Sequence, residues 1–142
     1  ETIAAWRNLW YHTGDIGYLD DDGYLYFVGR QAHWVRVRGE NVSAFEVEKV
    51  LTEHAAIEDC AIVGVPAQLG EEDVKAYVQL AAGASLAPEA IVDFCKASLA
   101  YFKVPRFIEF VSEFPRTITK HEIERHALRA RGIGDAWDRD GT

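Results

Sequence analysis

Residues 10–43 read WYHTGDIGYLDDDGYLYFVGRQAHWVRVRGENVS, and this stretch is the most informative in the chain. It opens on an acidic turn, His12-Thr13-Gly14-Asp15. The run Asp20-Asp21-Asp22-Gly23 then separates Ile16–Leu19 from Tyr24–Val28, the pattern of a β-hairpin closed by turn-forming residues. A Gly29-Arg30 pair follows. From Trp34 to Arg38 apolar and basic side chains alternate with period two, which predicts a short half-exposed strand running into the Arg38-Gly39 turn. A surface that serves only stability rarely gathers glycines, arginines and an acidic turn so closely, so the stretch predicts a functional surface.

Outward from it, Ser43 precedes Glu46 by three residues, a capping box, and Val47, Val50, Leu51 and His54 share one helical face. Ile57–Val65 reads as a buried strand that stops at Pro66. Val74, Ala76, Val78 and Leu80 alternate with Lys75, Tyr77 and Gln79, which predicts a half-buried strand. Pro88 suits the first turn of a helix whose apolar stripe is Ile91, Phe94, Cys95 and Leu99. Arg106–Val111 alternates again. Thr119 and Glu122 form a second capping box before Ile123, Ala127 and Leu128, with Gly132 just past the helix end. The order predicts an α+β fold, a small mixed β-sheet with about three packed helices, preceded by a β-hairpin. The Trp137–Thr142 tail is expected to be loosely held.

With 142 residues, 49% of them apolar, the chain can bury a real core. Its net charge of -8 gives no general affinity for nucleic acid or anionic membranes. Three arginines, Arg30, Arg36 and Arg38, nevertheless cluster locally, and a solvated basic strand face is the plain alternative to a binding role. Cys60 and Cys95 sit in apolar surroundings and predict buried free thiols in a reducing, cytoplasmic compartment. No apolar run is long enough to span a membrane. His33, His54, His121 and His126 show no metal-ligand spacing with the cysteines, so no metal site is expected.

The Thr13-Gly14-Asp15, Gly29-Arg30 and Arg38-Gly39-Glu40-Asn41 motifs, in this order and spacing, resemble those of the adenylate-forming enzymes: acyl-CoA synthetases, peptide-synthetase adenylation domains and luciferases. The likeness runs from about residue 6 to residue 131. The Arg38–Ser43 stretch and Gly70-Glu71-Glu72 look closer to CoA ligases of carnitine and related small acids than to luciferases. The family's Ser/Thr/Gly-rich phosphate loop and acyl pocket have no counterpart here, so the resemblance implies the C-terminal end of a larger ATP-dependent carboxylic acid:CoA ligase. Residues 1–29 would then be a remnant of the large N-terminal adenylating domain, and residues 30–142 the mobile C-terminal domain. The implied substrates of the whole enzyme are ATP with Mg2+, coenzyme A and a small carboxylic acid, with none bound by the fragment alone. An adenylation domain that loads a carrier-protein thiol, and a non-catalytic interaction module that keeps the scaffold, are the alternatives.

The resemblance also implies roles for residues. Asp15 would accept hydrogen bonds from the vicinal ribose hydroxyls of ATP, a task suited to an ionised carboxylate, unless it only closes an Asx turn. Arg30 would be a second ribose or phosphate contact, unless it pairs with Asp20 to Asp22. The turn at Gly39 would let the pantetheine arm of coenzyme A approach the backbone, with Arg36 and Arg38 near its phosphates. In the stretch Tyr101-Phe102-Lys103-Val104-Pro105-Arg106, Phe102 would stack on adenine and Arg106 would meet a phosphate, with core packing the other reading of Phe102. Ala32 sits where the family places its hinge residue. The family's Pro-[KR]-Thr-x-[ST]-Gly-Lys loop reads Pro115-Arg116-Thr117-Ile118-Thr119-Lys120-His121 here. The glycine is missing and histidine occupies the lysine position, so Lys120, one residue early, is the candidate catalytic lysine that would stabilise charge at the α-phosphate.

Overall fold

The tight turns of residues 10–43 organise the first half of the fold. A computed structural model of the chain describes residues 6–7, 10–67 and 70–141. Strands β1 (Trp6–Arg7) and β2 (Trp10–Tyr11) form a short antiparallel pair. Strands β3 (Asp15–Leu19) and β4 (Leu25–Arg30) form the expected hairpin. Its turn is closed by the Asp20 carboxylate, which accepts the N–H groups of Asp22 at 3.0 Å and Tyr24 at 2.9 Å. The Tyr24 N–H is the largest cause holding Asp20 below the ordinary carboxylate range. Tyr18, Leu19, Tyr24, Leu25, Tyr26 and Phe27 are all exposed on this hairpin.

Strands β5 (Trp34–Val37) and β6 (Glu40–Ser43) form a second hairpin. Its two-residue turn has Arg38 at φ 49° and Gly39 at φ 83°, the pair of positive values that matches the twist of flanking strands. Val35 and Val37 point inward and Arg36 outward, as the alternation predicts.

Helix α1 (Ala44–Thr52) buries Val47 and Leu51. Its start differs from the expected capping box. Ser43 Oγ donates to the Val28 carbonyl at 3.1 Å, and the Glu46 carboxylate takes Lys103 Nζ at 2.7 and 2.8 Å. Both side chains serve tertiary contacts, so neither caps the helix.

The main sheet contains β7 (Ile57–Pro66), β8 (Glu72–Leu80), β9 (Phe107–Phe110) and β10 (Trp137–Asp138) in the order β10-β9-β8-β7. The β7–β8 and β9–β10 pairs are antiparallel and β8–β9 is parallel, so the sheet is mixed. Helix α2 (Pro88–Lys96) lies in the crossover between β8 and β9, with Pro88 in its first turn and Ile91, Val92 and Cys95 buried. Leu99, read as part of its stripe, is buried just beyond the helix end. One face of the sheet joins α1, α2 and the β5–β6 hairpin in the larger core. The other packs Val63, Tyr77 and Phe107 against Phe114 and against Leu128 of helix α3 (Arg125–Ala130).

That second layer overturns the half-buried reading of β8. Lys75 and Tyr77 are as buried as Val74 and Ala76. Lys75 Nζ donates to Glu109 Oε2 at 2.7 Å and to the carbonyls of Gly132 and Ile133 at 2.8 and 2.9 Å, using all three of its protons. Tyr77 donates its hydroxyl to the Leu128 carbonyl at 3.0 Å. The second capping box is also absent. Helix α3 begins at Arg125, and Thr117, not Thr119, takes the Glu122 N–H. Finally, the tail is not loose through Asp138, because Trp137 pairs with Ile108 and Asp138 with Phe107 across the β10–β9 ladder. Thr142 lies outside the described residues. No described helix is long and apolar enough to cross a membrane.

Candidate functional site

The β3–β4 register sets Asp15 opposite Arg30. Arg30 Nε lies 3.0 Å from Asp15 Oδ1, so its partner is Asp15 and not the aspartates of the hairpin turn. The Asp15 N–H bonds Thr13 Oγ1 at 3.1 Å, and Gln31 N–H reaches back to the Gly14 carbonyl at 2.8 Å. The acidic turn, the Gly29-Arg30 pair and the hinge candidate are therefore one connected unit. Ala32 is exposed in a single helical turn, Gln31–His33, flanked by extended Arg30 and Trp34.

The Arg38-Gly39 turn belongs to a second group. Arg38 Nη1 donates to the Tyr101 hydroxyl at 3.1 Å, and its guanidinium carbon lies 5.4 Å from the Tyr101 ring centroid. A Cβ built on Gly39 would meet nothing within 4 Å, so the glycine is required there by its φ and leaves open space beside the backbone. Arg36 Nη1 bonds Asn41 Oδ1 at 3.0 Å across the hairpin. Arg38, Phe102 and Arg106 line one shallow depression together with Tyr101 and Arg139. Phe102 is half-buried against the larger core, which matches the packing reading of that residue. Arg106 grips both oxygens of Asp138 at 3.1 and 3.2 Å and Asp73 at 2.9 Å, with Asp140 at 3.5 Å. The hydrogen bonds it donates to Asp138 raise its guanidinium above the usual range. With Arg139 Nε 3.2 Å from Asp140 Oδ1, two cations answer three carboxylates, so Arg106 anchors the tail and its fork is filled.

The third group is the loop that carries Lys120. Arg116 and Ile123 form a bridge, Thr117 N–H donates to the Glu122 carbonyl at 2.8 Å, and His121 N–H to the Thr117 carbonyl at 3.0 Å. His121 has φ 54°, so the left-handed residue that closes the loop is a histidine. Lys120 is exposed at the tip and has no hydrogen bond or ion pair with any described residue. Arg116, Thr117 and Glu122 at the base of this loop line a cleft of 810 Å³, and so do Arg30, Ala32 and His33. Burial, then Arg125 and Arg30, lower the His33 pKa. The buried Trp34 Nε1, on the same wall, has no hydrogen-bond partner among the described residues.

Sequence reasoning missed the side chains that hold these pieces. Glu48 of α1 takes the Ile62 N–H at 2.8 Å and both Arg125 nitrogens, which ties α1 and β7 to the start of α3. Asp59 takes Arg116. Neither acid lies in a recognisable motif, and only tertiary packing brings them to their partners.

A family model for the AMP-binding enzyme C-terminal domain matches residues 46–121, more than half of the chain. Among curated relatives, the crotonobetaine/carnitine–CoA ligase of Proteus mirabilis (strain HI4320) is 43% identical over 117 residues, covering 82% of this chain and 23% of the relative. Among solved structures, the o-succinylbenzoate CoA synthetase of Bacillus subtilis, in complex with its acyl-adenylate intermediate, superposes with a TM-score of 0.82 at 31% identity, covering 89% of this chain and 26% of that one. The amide bond synthetase of Marinactinospora thermotolerans has the same TM-score at 35% identity, covering 91% and 26%. The chain thus spans about a quarter of the length of the proteins it matches. The chain therefore belongs to the family of AMP-binding enzyme C-terminal domains.

Proposed function

We propose that this chain is the C-terminal part of an ATP-dependent carboxylic acid:CoA ligase, which forms an acyl-adenylate and then an acyl-CoA thioester. In this reading residues 1–29 belong to a large adenylating domain and residues 30–142 swing about Ala32. Asp15 and Arg30 bind the nucleotide ribose and phosphate. Lys120 stabilises the charge that develops at the α-phosphate as the carboxylate attacks. After rotation, Gly39 lets the pantetheine arm of coenzyme A pass, with Arg36, Arg38 and Phe102 beside it. ATP with Mg2+, coenzyme A and a small carboxylic acid are the substrates. Arg106 is given a tethering role instead of a phosphate contact.

The observation that carries the reading is the unpaired Lys120 at the tip of a loop whose base shares a cleft with Arg30 and Ala32. A cation that answers no internal carboxylate is available to a ligand, and the shared cleft couples it to the hinge. The exposed aromatic hairpin supports it too, since such a surface fits a larger domain that covers it. The similarity to a crotonobetaine/carnitine–CoA ligase and to a CoA synthetase in complex with its acyl-adenylate supports both half-reactions.

The test is Lys120→Ala in the full-length enzyme. Carboxylate-dependent pyrophosphate exchange should fall by the equivalent of about 3 kcal/mol, as when one oxyanion donor is lost. Thioester formation from supplied acyl-adenylate should continue. Wild-type rates in both would make Lys120 a surface residue and favour a scaffold without chemistry.

A further inference from the structure

One ion pair joins the Lys120 loop to the main sheet, between Arg116 of the Pro115–His121 motif and Asp59, which lies outside any motif. Arg116 Nη2 lies 2.5 Å from Asp59 Oδ2 on β7, and Arg116 Nη1 donates to the His121 carbonyl at 3.0 Å. One guanidinium therefore holds a carboxylate of the main sheet and the backbone residue that follows Lys120. The other contacts of the loop are internal: Thr117 with Glu122, and His121 with Thr117. Among the described residues, no other side chain of residues 116–121 makes a hydrogen bond or ion pair with β7. The tip itself has no packing to hold it, since Ile118 is 94% exposed. Phe114 and Ile123 pack the two ends of the loop into the core and internal bonds fix its shape, so Arg116 is the side chain left to direct its tip over the cleft.

We infer that Asp59 and Arg116 are positioning residues that aim the Lys120 loop for the adenylation step. The inference rests on the reading of Lys120 as the adenylation lysine. Asp59 is well suited to the task. Its Oδ1 is fixed by the Cys60 N–H at 2.8 Å, which leaves Oδ2 to face Arg116 in one orientation. Arg116 supplies a planar fork whose two ends can serve two acceptors at once, which a lysine cannot do with comparable geometry. Both side chains are over a third or close to a third exposed, at 40% and 33%, so the pair contributes little to global stability. Its use is directional. A reacting group displaced by about 1 Å can lose on the order of 10²-fold in rate.

The experiment uses the full-length enzyme with Asp59→Asn, Arg116→Gln, the double variant and Lys120→Ala as reference. Asn keeps the Cys60 contact and replaces the acceptor that faces Arg116 by an amide donor. Pyrophosphate exchange in Asp59→Asn and in Arg116→Gln should fall on the order of 10²-fold, with thioester formation from supplied acyl-adenylate at the wild-type rate and the melting temperature unchanged. The double variant should be no worse than the poorer single variant, because both remove one contact. If Lys120→Ala lowers exchange while the two pair variants do not, the positioning role is wrong and the reading of Lys120 stands. If Lys120→Ala leaves exchange intact, the reading of Lys120 itself falls, and the inference with it. Equal losses in both half-reactions with a lowered melting temperature would mean a packing role and would also overturn it. A last measurement is independent of activity. Trypsin should cut after Lys120 faster in Asp59→Asn than in the wild-type chain, and an unchanged cutting rate would count against loop release.

Discussion

Asp15 and Arg30 are fifteen residues apart in sequence but directly opposite in the β3–β4 ladder, with Arg30 Nε 3.0 Å from Asp15 Oδ1. The two groups proposed for the nucleotide are held by each other, and both remain accessible, at 37% and 52% exposure. An exposed pair of this kind contributes roughly 0–1 kcal/mol to folding. Asp15→Asn should therefore shift the unfolding free energy by less than about 1 kcal/mol while sharply weakening ATP binding in the full enzyme. Chemical denaturation and a nucleotide titration separate the two effects. A large stability loss with normal nucleotide affinity would make the pair a plain hairpin staple.

Gly39 allows a test that separates backbone conformation from space. Its φ of 83° suits glycine, and asparagine tolerates the same region better than other side chains. Because nothing lies within 4 Å of a Cβ there, Gly39→Asn should fold with a loss below about 1 kcal/mol. In the full enzyme its added side chain should obstruct coenzyme A and leave adenylate formation intact. A folded Gly39→Asn that makes thioester normally would show that only the turn requires glycine.

Lys75 gives a prediction about stability alone. Replacing it by methionine removes the donor shared by Glu109, Gly132 and Ile133 and leaves a carboxylate facing the sheet. Breaking such a buried pair costs about 3 kcal/mol. Urea unfolding should show a lower midpoint with an unchanged slope. Glu109→Gln should cost less, because the amide oxygen still accepts and Glu109 is 27% exposed. A Lys75→Met protein as stable as wild type would contradict the clasp.

Alkaline pH should unfold the chain through its two thiols. Burial pushes Cys95 from 9.0 up to about 11, and burial followed by Glu48 and Asp59 pushes Cys60 up further. The folded state keeps these protons that the unfolded chain releases, so the associated stability is present below pH 9.0 and lost as pH rises toward 11. For Cys95 the gap corresponds to roughly 3 kcal/mol. Cys95→Ala should flatten the alkaline limb of the stability profile, measured by urea midpoints across that window. An unchanged limb would mean that the thiol does not titrate with unfolding.

Most elements were legible in the sequence because they depend on neighbours close along the chain. The Asp20–Gly23 turn, the Pro88 start of α2 and the inward valines of β5 all follow from local periodicity and turn chemistry. Failures share one cause. Ser43 and Glu46 look like a capping box, but Val28 and Lys103, distant in sequence, compete for the same groups and win. The alternation of β8 marks two faces correctly and cannot say that both are covered. Only the arrival of α3 and the turn after it buries Lys75 and Tyr77.

The same division runs through the candidate site. Sequence alone determined the residue types and their order: the Thr13-Gly14-Asp15 turn, Gly29-Arg30, the Arg38-Gly39 turn and a lysine in the Pro115–His121 loop. These are short-range properties, set by which backbone shapes glycine, aspartate and arginine permit and what charge they carry. Tertiary structure decided which charges are already answered. Arg106 is surrounded by Asp73, Asp138 and Asp140, whereas Lys120 faces none of the described acids. Both are basic residues in family motifs, and nothing within either motif distinguishes them. The difference arises because an ion pair depends on distance in space, and sheet pairing brings residues 73, 106 and 138 together while leaving residue 120 at a loop tip.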